Sequence, residues 1–372
     1  MPIYKMNGRK DGKQQYRVRI NYTDHNGKAK QIDRVAYGAA EAKLLETQLI
    51  REMKAKTDAG RRTVQELYEE YIRNKKHEVR ETSLDKQKRT LELYVIPQLG
   101  HAKIDKLTTP ILQKWKMEIS SKELAVKTKQ NIYSEFRTML NYAVKMEYLP
   151  KNPLVTVGNF KEVYFEMQQD KLHYYTVDQF KKYITVAKEN AVTLTDWGYY
   201  VFFNIAFYTG MRKGEINALK WSDIDGDIIH VRRSIAQKLK GGDRETPPKN
   251  KSSYRDLQAP IPLMKVLIEH KERQQQDKRF SENYRICGGP VCLRDTSLSN
   301  KNNQFAKEAG LPRIRIHDFR HSHVSLLANE GINIQEIARR LGHSKIEMTW
   351  NTYAHLYPRE EERALDILNK IV

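Results

Sequence analysis

The period of the apolar residues changes along this chain, and that change restricts which elements can form. Over residues 15–22, Tyr16, Val18, Ile20 and Tyr22 alternate with Arg17, Arg19 and Asn21. Period two is that of a strand with one buried face. An Asn26-Gly27 pair then offers the positive φ angles of a tight hairpin turn, and a further strand is expected near 31–36. From residue 39 onward helical spacing takes over. Alternation returns only in two short runs, 228–232 and 254–259. The sequence therefore predicts a mainly α protein with small β elements.

A chain of 372 residues is too long for one compact domain, and punctuation suggests three. Residues 1–60 read as a three-stranded sheet plus a helix over 39–56. Residues 61–170 read as a helical bundle. Thr63 with Glu66 forms a capping box there, and Thr82 or Ser83 can cap a second helix ending before Pro97 and Gly100. Thr109-Pro110 starts another helix, a last one covers 127–147, and a polar link with Pro153 and Gly158 follows. Residues 171–372 open on a second capping pattern, Thr176 with Gln179. They read as mostly helical, with a small β-sheet turning at Asp225-Gly226.

Charge narrows the function. The chain carries 66 Lys and Arg against 46 Asp and Glu, a net +20. An excess of this size in a folded protein points to a polyanion, with nucleic acid first. Residues 1–34 alone hold nine Lys/Arg and three Asp/Glu. Arg17 and Arg19, on the outer face of a twisted sheet, are candidates to enter a DNA groove. No apolar run approaches the roughly 20 residues of a membrane span. Nothing near Met1 resembles a signal peptide, so no membrane partner is expected and the location is expected to be the cytoplasm. Cys287 and Cys292 read as ordinary thiols.

Four clusters in the last third carry chemistry. In residues 208–215, Gly210 lets backbone approach a ligand, Arg212 can fork onto a phosphate, and Glu215 lies one turn on to orient it. In 248–255, in a hairpin of the β-segment, Lys249 is placed to reach into a cleft as a proton donor, with Lys251 as the alternative two residues later. In 316–323, His317 and Arg320 share a helix face at i, i+3. The i, i+4 pair His317 and His321 also has metal-binding spacing, but no third ligand lies near. In 341–344, Asn333 and Glu336 cap a short helix that Gly342 ends, leaving His343 just beyond it, and Tyr353 follows ten positions later.

Taken together, Arg212, Lys249, His317, Arg320, His343 and Tyr353 resemble, in order and spacing, the tyrosine recombinase family, the integrases of phages and conjugative transposons. The H-x-x-R and L-G-H…Y signatures are both present. The resemblance implies an arm-type DNA-binding domain (1–60), a core-site-binding helical domain (61–170) and a catalytic domain with a C-terminal tail (171–372). It implies double-stranded DNA with core and arm sites as partner, a homotetramer on DNA, and an excisionase or host DNA-bending protein as accessory. The DNA-binding and catalytic domains would clamp the duplex. The tail, with Leu356, Leu365, Ile367 and Leu368 at helical spacing, would dock on a neighbouring protomer or on its own domain.

The implied chemistry is phosphoryl transfer with no cofactor and no metal. Arg212 and Arg320 would hold the non-bridging oxygens and Tyr353 would attack phosphorus, giving a 3′-phosphotyrosine. His317 would serve as base, Lys249 would protonate the departing 5′ oxygen, and His343 would hydrogen-bond the phosphate. Three rivals remain: a regulator using 329–342 as a helix-turn-helix, a type IB topoisomerase, and a metal nuclease. The complete six-residue series disfavours the first. The arm-like N-terminal module disfavours the second, and the lack of a carboxylate cluster disfavours the third.

Overall fold

A computed structural model describes residues 3–23, 29–59, 62–161, 173–237, 242–248, 251–357 and 368. The expected Asn26-Gly27 turn and Lys249 lie outside the described residues. The chain divides into two compact units, Met1–Gln168 and Gln169–Val372.

The first unit begins with an antiparallel sheet of β1 (Ile3–Lys10), β2 (Lys13–Thr23) and β3 (Ala29–Tyr37), in that order. A two-residue turn at Asp11 and Gly12, both with positive φ, joins β1 to β2. This Asp-Gly pair fits the hairpin geometry that Asn26-Gly27 was expected to supply. Alternation sends Val18 and Ile20, with Ala36, against α1 (Ala39–Ala59), where Ala42, Leu49 and Met53 complete a small core. The opposite face carries Tyr4, Arg17 and Val35 in one cross-strand row.

The rest of the unit is helical: α2 (Val64–Lys75), α3 (Glu81–Tyr94), α4 (Ile96–Leu99), α5 (Thr109–Ser120), α6 (Val126–Lys145) and α7 (Leu154–Val157). The Thr63–Glu66 capping box forms in both directions. One expectation shifts. Helix α3 opens after Arg80 with no side-chain cap, so Thr82 and Ser83 lie inside its first turn, beside Glu81, which suits the helix dipole there. Helix α3 ends at Tyr94, before Pro97 as expected, and Pro97 then lies in the first turn of α4, which has no use for the missing N–H. The link with Pro153 contributes α7, whose Leu154 is fully buried in this unit's second core, with Tyr71, Leu91, Trp115 and Phe136.

The second unit is built round α9 (Leu194–Thr209), which is apolar on nearly every side. Against it pack α8 (Val177–Glu189), α10 (Lys213–Ala218), α11 (Ile261–Gln274) and α13 (Asp318–Asn329). The Thr176–Gln179 capping box opens α8, and Phe180 stacks on Phe207 with ring centroids 3.7 Å apart. A three-stranded sheet follows the order β4 (Ile224–Asp225), β5 (Ile228–Val231) and β8 (Arg255–Gln258). A separate pair is formed by β6 (Ser234–Ala236) and β7 (Arg244–Thr246). The segment 247–254 thus joins strands of two different sheets, so the lysine-bearing stretch is not a hairpin within one sheet as expected. Helices α12 (Asp295–Glu308), α14 (Ile334–Leu341) and α15 (Glu347–Tyr353) complete the unit. Cys287 and Cys292 are free thiols. Of the tail, Leu365 and Ile367 lie outside the described residues. Among the described residues no helix is long and apolar enough to cross a membrane.

Candidate active site

Two left-handed glycines shape the site. Gly210 (φ +63) ends α9, and a Cβ there would lie 2.8 Å from His323 Cδ2. Gly342 (φ +66) ends α14, and a Cβ there would lie 3.0 Å from the Ser252 carbonyl, next to the lysine-bearing segment. Only glycine permits both the backbone turn and the close approach. The freed carbonyls then take up Arg320. Its Nη1 donates to the Gly210 carbonyl (2.7 Å), and its Nη2 donates to the Leu341 carbonyl (2.8 Å) and to His343 Nε2 (2.8 Å).

Because an arginine only donates, His343 Nε2 must accept, which puts the imidazole proton on Nδ1. Nδ1 is 2.7 Å from Thr349 Oγ1, so it donates to that buried hydroxyl. Burial, with Arg320 and Arg212 close by, pushes His343 down to about 4, so the ring is neutral.

Arg212 begins α10. Glu215 accepts from the Arg212 backbone N–H (3.0 Å) and from its Nη1 (2.9 Å), fixing the guanidinium as the i, i+3 spacing predicted. A third arginine enters from β8, where Arg255 Nη2 donates to the other oxygen of Glu215 at 2.9 Å. Glu215 has a pKa below the ordinary carboxylate range. Burial alone would raise it, but Arg255 and Arg212 outweigh burial. One carboxylate thus serves two arginines, and among the described residues Arg320 beside them has no acidic hydrogen-bond partner. Burial and Arg212 push Arg320 down to about 9, still charged at neutral pH. Such a pocket favours an anion that two guanidinium groups can share.

Tyr353 ends α15 and is buried among Val324, Ala328, Ile337 and Leu341. Burial pushes its hydroxyl up to about 12, with Arg320 pulling the other way. The hydroxyl lies 2.5 Å from His321 Nδ1. His317, expected to serve this hydroxyl, sits at the exposed start of α13 with its ring edge-on to His321, centroids 5.4 Å apart.

The structure therefore brings Arg212, His317, Arg320, His343 and Tyr353 into one field. Sequence reasoning missed His321, Thr349 and Arg255. Only His321 had a local signal, its spacing from His317, which suggested metal instead. Among the described residues no group of three His, Cys, Asp or Glu could hold a metal ion. In the first unit, Arg19 is paired with Asp33 (Nε to Oδ1 2.9 Å, Nη2 to Oδ2 3.0 Å), whereas Arg17 stands exposed.

Paired arginines, a neutral imidazole and a buried tyrosine on a helical scaffold define an enzyme that transfers phosphoryl groups through tyrosine. The chain belongs to the phage integrase family, whose model matches residues 174–360, and it is a tyrosine recombinase that transfers DNA strands. Residues 63–120 match the phage integrase N-terminal SAM-like domain. The chain is 27% identical to the ICEBs1 integrase of Bacillus subtilis (strain 168), over 97% of this chain and 98% of that protein. It is 23% identical to the transposase from transposon Tn916 of Enterococcus faecalis, over 74% and 70% of the two chains. A structure of the Tn1549 transposon integrase in complex with transposon right end DNA matches with TM-score 0.64 and 20% identity, covering 84% of this chain and all of that one. A lambda integrase tetramer bound to a Holliday junction matches with TM-score 0.58 and 16% identity, over 96% and 95%.

Proposed function

We propose that this recombinase cuts and rejoins the ends of a mobile element through Tyr353, using Arg212 and Arg320 to hold the scissile phosphate and His343, through Nε2, to orient Arg320. The observation that carries this reading is the anchoring of Arg320 by two main-chain carbonyls, with His343 on its Nη2 and Tyr353 in its field. A guanidinium fixed in this way needs no reorganisation when charge builds on the non-bridging oxygens. Tyr353 attacks phosphorus and the 5′ oxygen leaves. The bond energy is kept as 3′-phosphotyrosine, so resealing requires no nucleotide. Lys249, or Lys251 beside it, protonates the leaving oxygen, and His317 adds a hydrogen-bonding group at the mouth of the site.

Residues 1–60 act as the arm-type DNA-binding domain, 61–170 as the core-site domain and 171–372 as the catalytic domain. Double-stranded DNA is the substrate, and four copies act together on it in the cytoplasm of a bacterial host. An excisionase or host DNA-bending protein sets the direction. The net charge of +20 and the lambda integrase tetramer on a Holliday junction support this assembly.

Covalent trapping tests the chemistry. Purified protein is mixed, in EDTA, with nicked duplexes from the ends of its element and run on denaturing gels. A DNA-linked band in wild type that is lost in Tyr353→Phe is the expected result. Tight binding with no adduct would mean a DNA-binding protein without catalysis.

A further inference from the structure

We infer that His321, rather than His317, is the catalytic base that takes the proton of Tyr353, with Asp318 behind it as a positioning residue. The inference rests on Tyr353 being the nucleophile. His321 Nδ1 is 2.5 Å from the Tyr353 hydroxyl, and the ring lies on the helix turn against which α15 folds. On the far side of the ring, Nε2 faces Asp318 Oδ1 at 3.9 Å, an ion-pair distance rather than a hydrogen bond. Asp318 is buried and held by the Arg315 backbone N–H at 2.8 Å and by the Arg315 Nε at 3.1 Å.

A carboxylate beside Nε2 favours the tautomer with its proton there, which leaves Nδ1 bare to accept from the phenol. Nucleophile, imidazole and carboxylate stand in the order of an activated-nucleophile triad. The groups that act on His321 are Asp318 and Arg315 from its own turn, Arg320 next in sequence, His317 edge-on and Tyr353 from α15. Burial lowers the affinity of His321 for a proton, with Asp318 opposing and the two arginines adding to it, so the resting ring is neutral and able to accept.

The step balances within the known reaction. As the Tyr353 Oη–phosphorus bond forms, the phenolic proton passes to His321 Nδ1. The phosphorus–O5′ bond breaks, and O5′ takes a proton from the lysine. On rejoining, a 5′-hydroxyl returns its proton to the lysine as it attacks phosphorus, and the displaced phenolate recovers its own from the imidazolium. The developing imidazolium lies beside the Asp318 carboxylate, whereas at His317 burial, Arg320, His321 and Arg212 outweigh the pull of Asp318 and push it down to about 4.

The test uses the full chain and duplexes carrying a 5′-bridging sulfur at the scissile phosphate. The thiolate leaves without a proton, so cleavage reports proton removal from Tyr353 alone. His321→Ala removes the acceptor. His321→Asn places an amide oxygen where Nδ1 stands, keeping the hydrogen bond but unable to take a proton. Both are expected to slow adduct formation by about 10²–10³-fold at pH 7 while binding DNA as wild type does. Both should then regain about tenfold per pH unit as the pH rises, where wild type stays flat. If His321→Asn cleaves at the wild-type rate, the residue only positions Tyr353 and the inference falls. It also falls if His317→Ala alone acquires the pH slope. Failure of wild type to form any adduct would sink the nucleophile assignment, and with it this inference. A wild-type adduct with unchanged His321 variants sinks the inference alone.

Discussion

Arg255 and Glu215 form an ion pair of 2.9 Å with both side chains almost wholly buried, 4% and 3% exposed. The pair stands behind Arg212, which Glu215 holds with its other oxygen. Arg255 also donates through Nε to the Arg340 carbonyl at 2.7 Å, tying β8 to the end of α14. Removing one partner of such a pair leaves a buried charge uncompensated. Glu215→Ala is therefore expected to lose about 3–5 kcal/mol of stability, whereas Glu215→Gln, which keeps a carbonyl for one arginine, loses less. Urea denaturation followed by circular dichroism measures both. Because the folded pKa of Glu215 lies below its ordinary value, its contribution is present near neutrality. That contribution disappears as the pH drops through the depressed value.

What could be read from sequence was what local spacing determines. Tyr16, Val18 and Ile20 gave the buried strand face, Thr63 and Thr176 gave helix starts, and Gly342 gave a helix end because left-handed backbone favours glycine. Arg212 and Glu215 declared their pairing through i, i+3. The start of α3 was misplaced because Thr82 and Ser83 are good caps whether or not the backbone uses them. His321 and Tyr353 are 32 residues apart, and their bond exists only because α15 folds back onto α13. Arg255 meets Arg340 across 85 residues. No periodicity reports contacts of that range.

Two buried histidines predict acid sensitivity. His323 Nδ1 donates to the Phe207 carbonyl at 2.9 Å and His270 Nε2 to the Ile286 carbonyl at 2.7 Å. Their other nitrogens are buried and have no hydrogen-bond partner among the described residues. Burial pushes His323 down to about 3 and His270 down to about 4. Between pH 6.5 and these values the unfolded chain binds protons that the folded chain refuses, so stability falls as the pH falls. By pH 5 the loss should reach roughly 2 kcal/mol per histidine. The double variant H270Q/H323N keeps both donors and cannot titrate. Its urea midpoint is expected to change less than that of wild type between pH 7 and pH 5.

Thr349 fixes the tautomer on which His343 depends. Thr349→Val keeps the volume but removes the acceptor for Nδ1–H. An unsatisfied donor of this kind costs about 1–3 kcal/mol. If the cost is felt in the transition state, cleavage slows by about tenfold or more. Initial rates of adduct formation, compared with those of Thr349→Ser, measure the effect. A serine that restores the rate identifies the hydroxyl as the cause, while equal rates in all three proteins would remove Thr349 from the site.

The N-terminal sheet gives a prediction that separates its two arginines. Arg19 is paired with Asp33 through Nε and Nη2, whereas Arg17 is exposed in a row with Tyr4 and Val35. If this face meets DNA phosphates, Arg17→Ala should reduce the slope of log affinity against log salt by about one on arm-site DNA. Arg19→Ala should change it less, because Asp33 already neutralises that charge. Asp33→Asn should tighten binding by releasing Arg19. Deletion of residues 1–60 leaves the second core of the unit, which opens at Val64, and is expected to spare cleavage at core sites while reducing integration. Titrations on arm and core duplexes at several salt concentrations decide it. Equal slopes for wild type, Arg17→Ala and Asp33→Asn would show that this face does not carry the DNA.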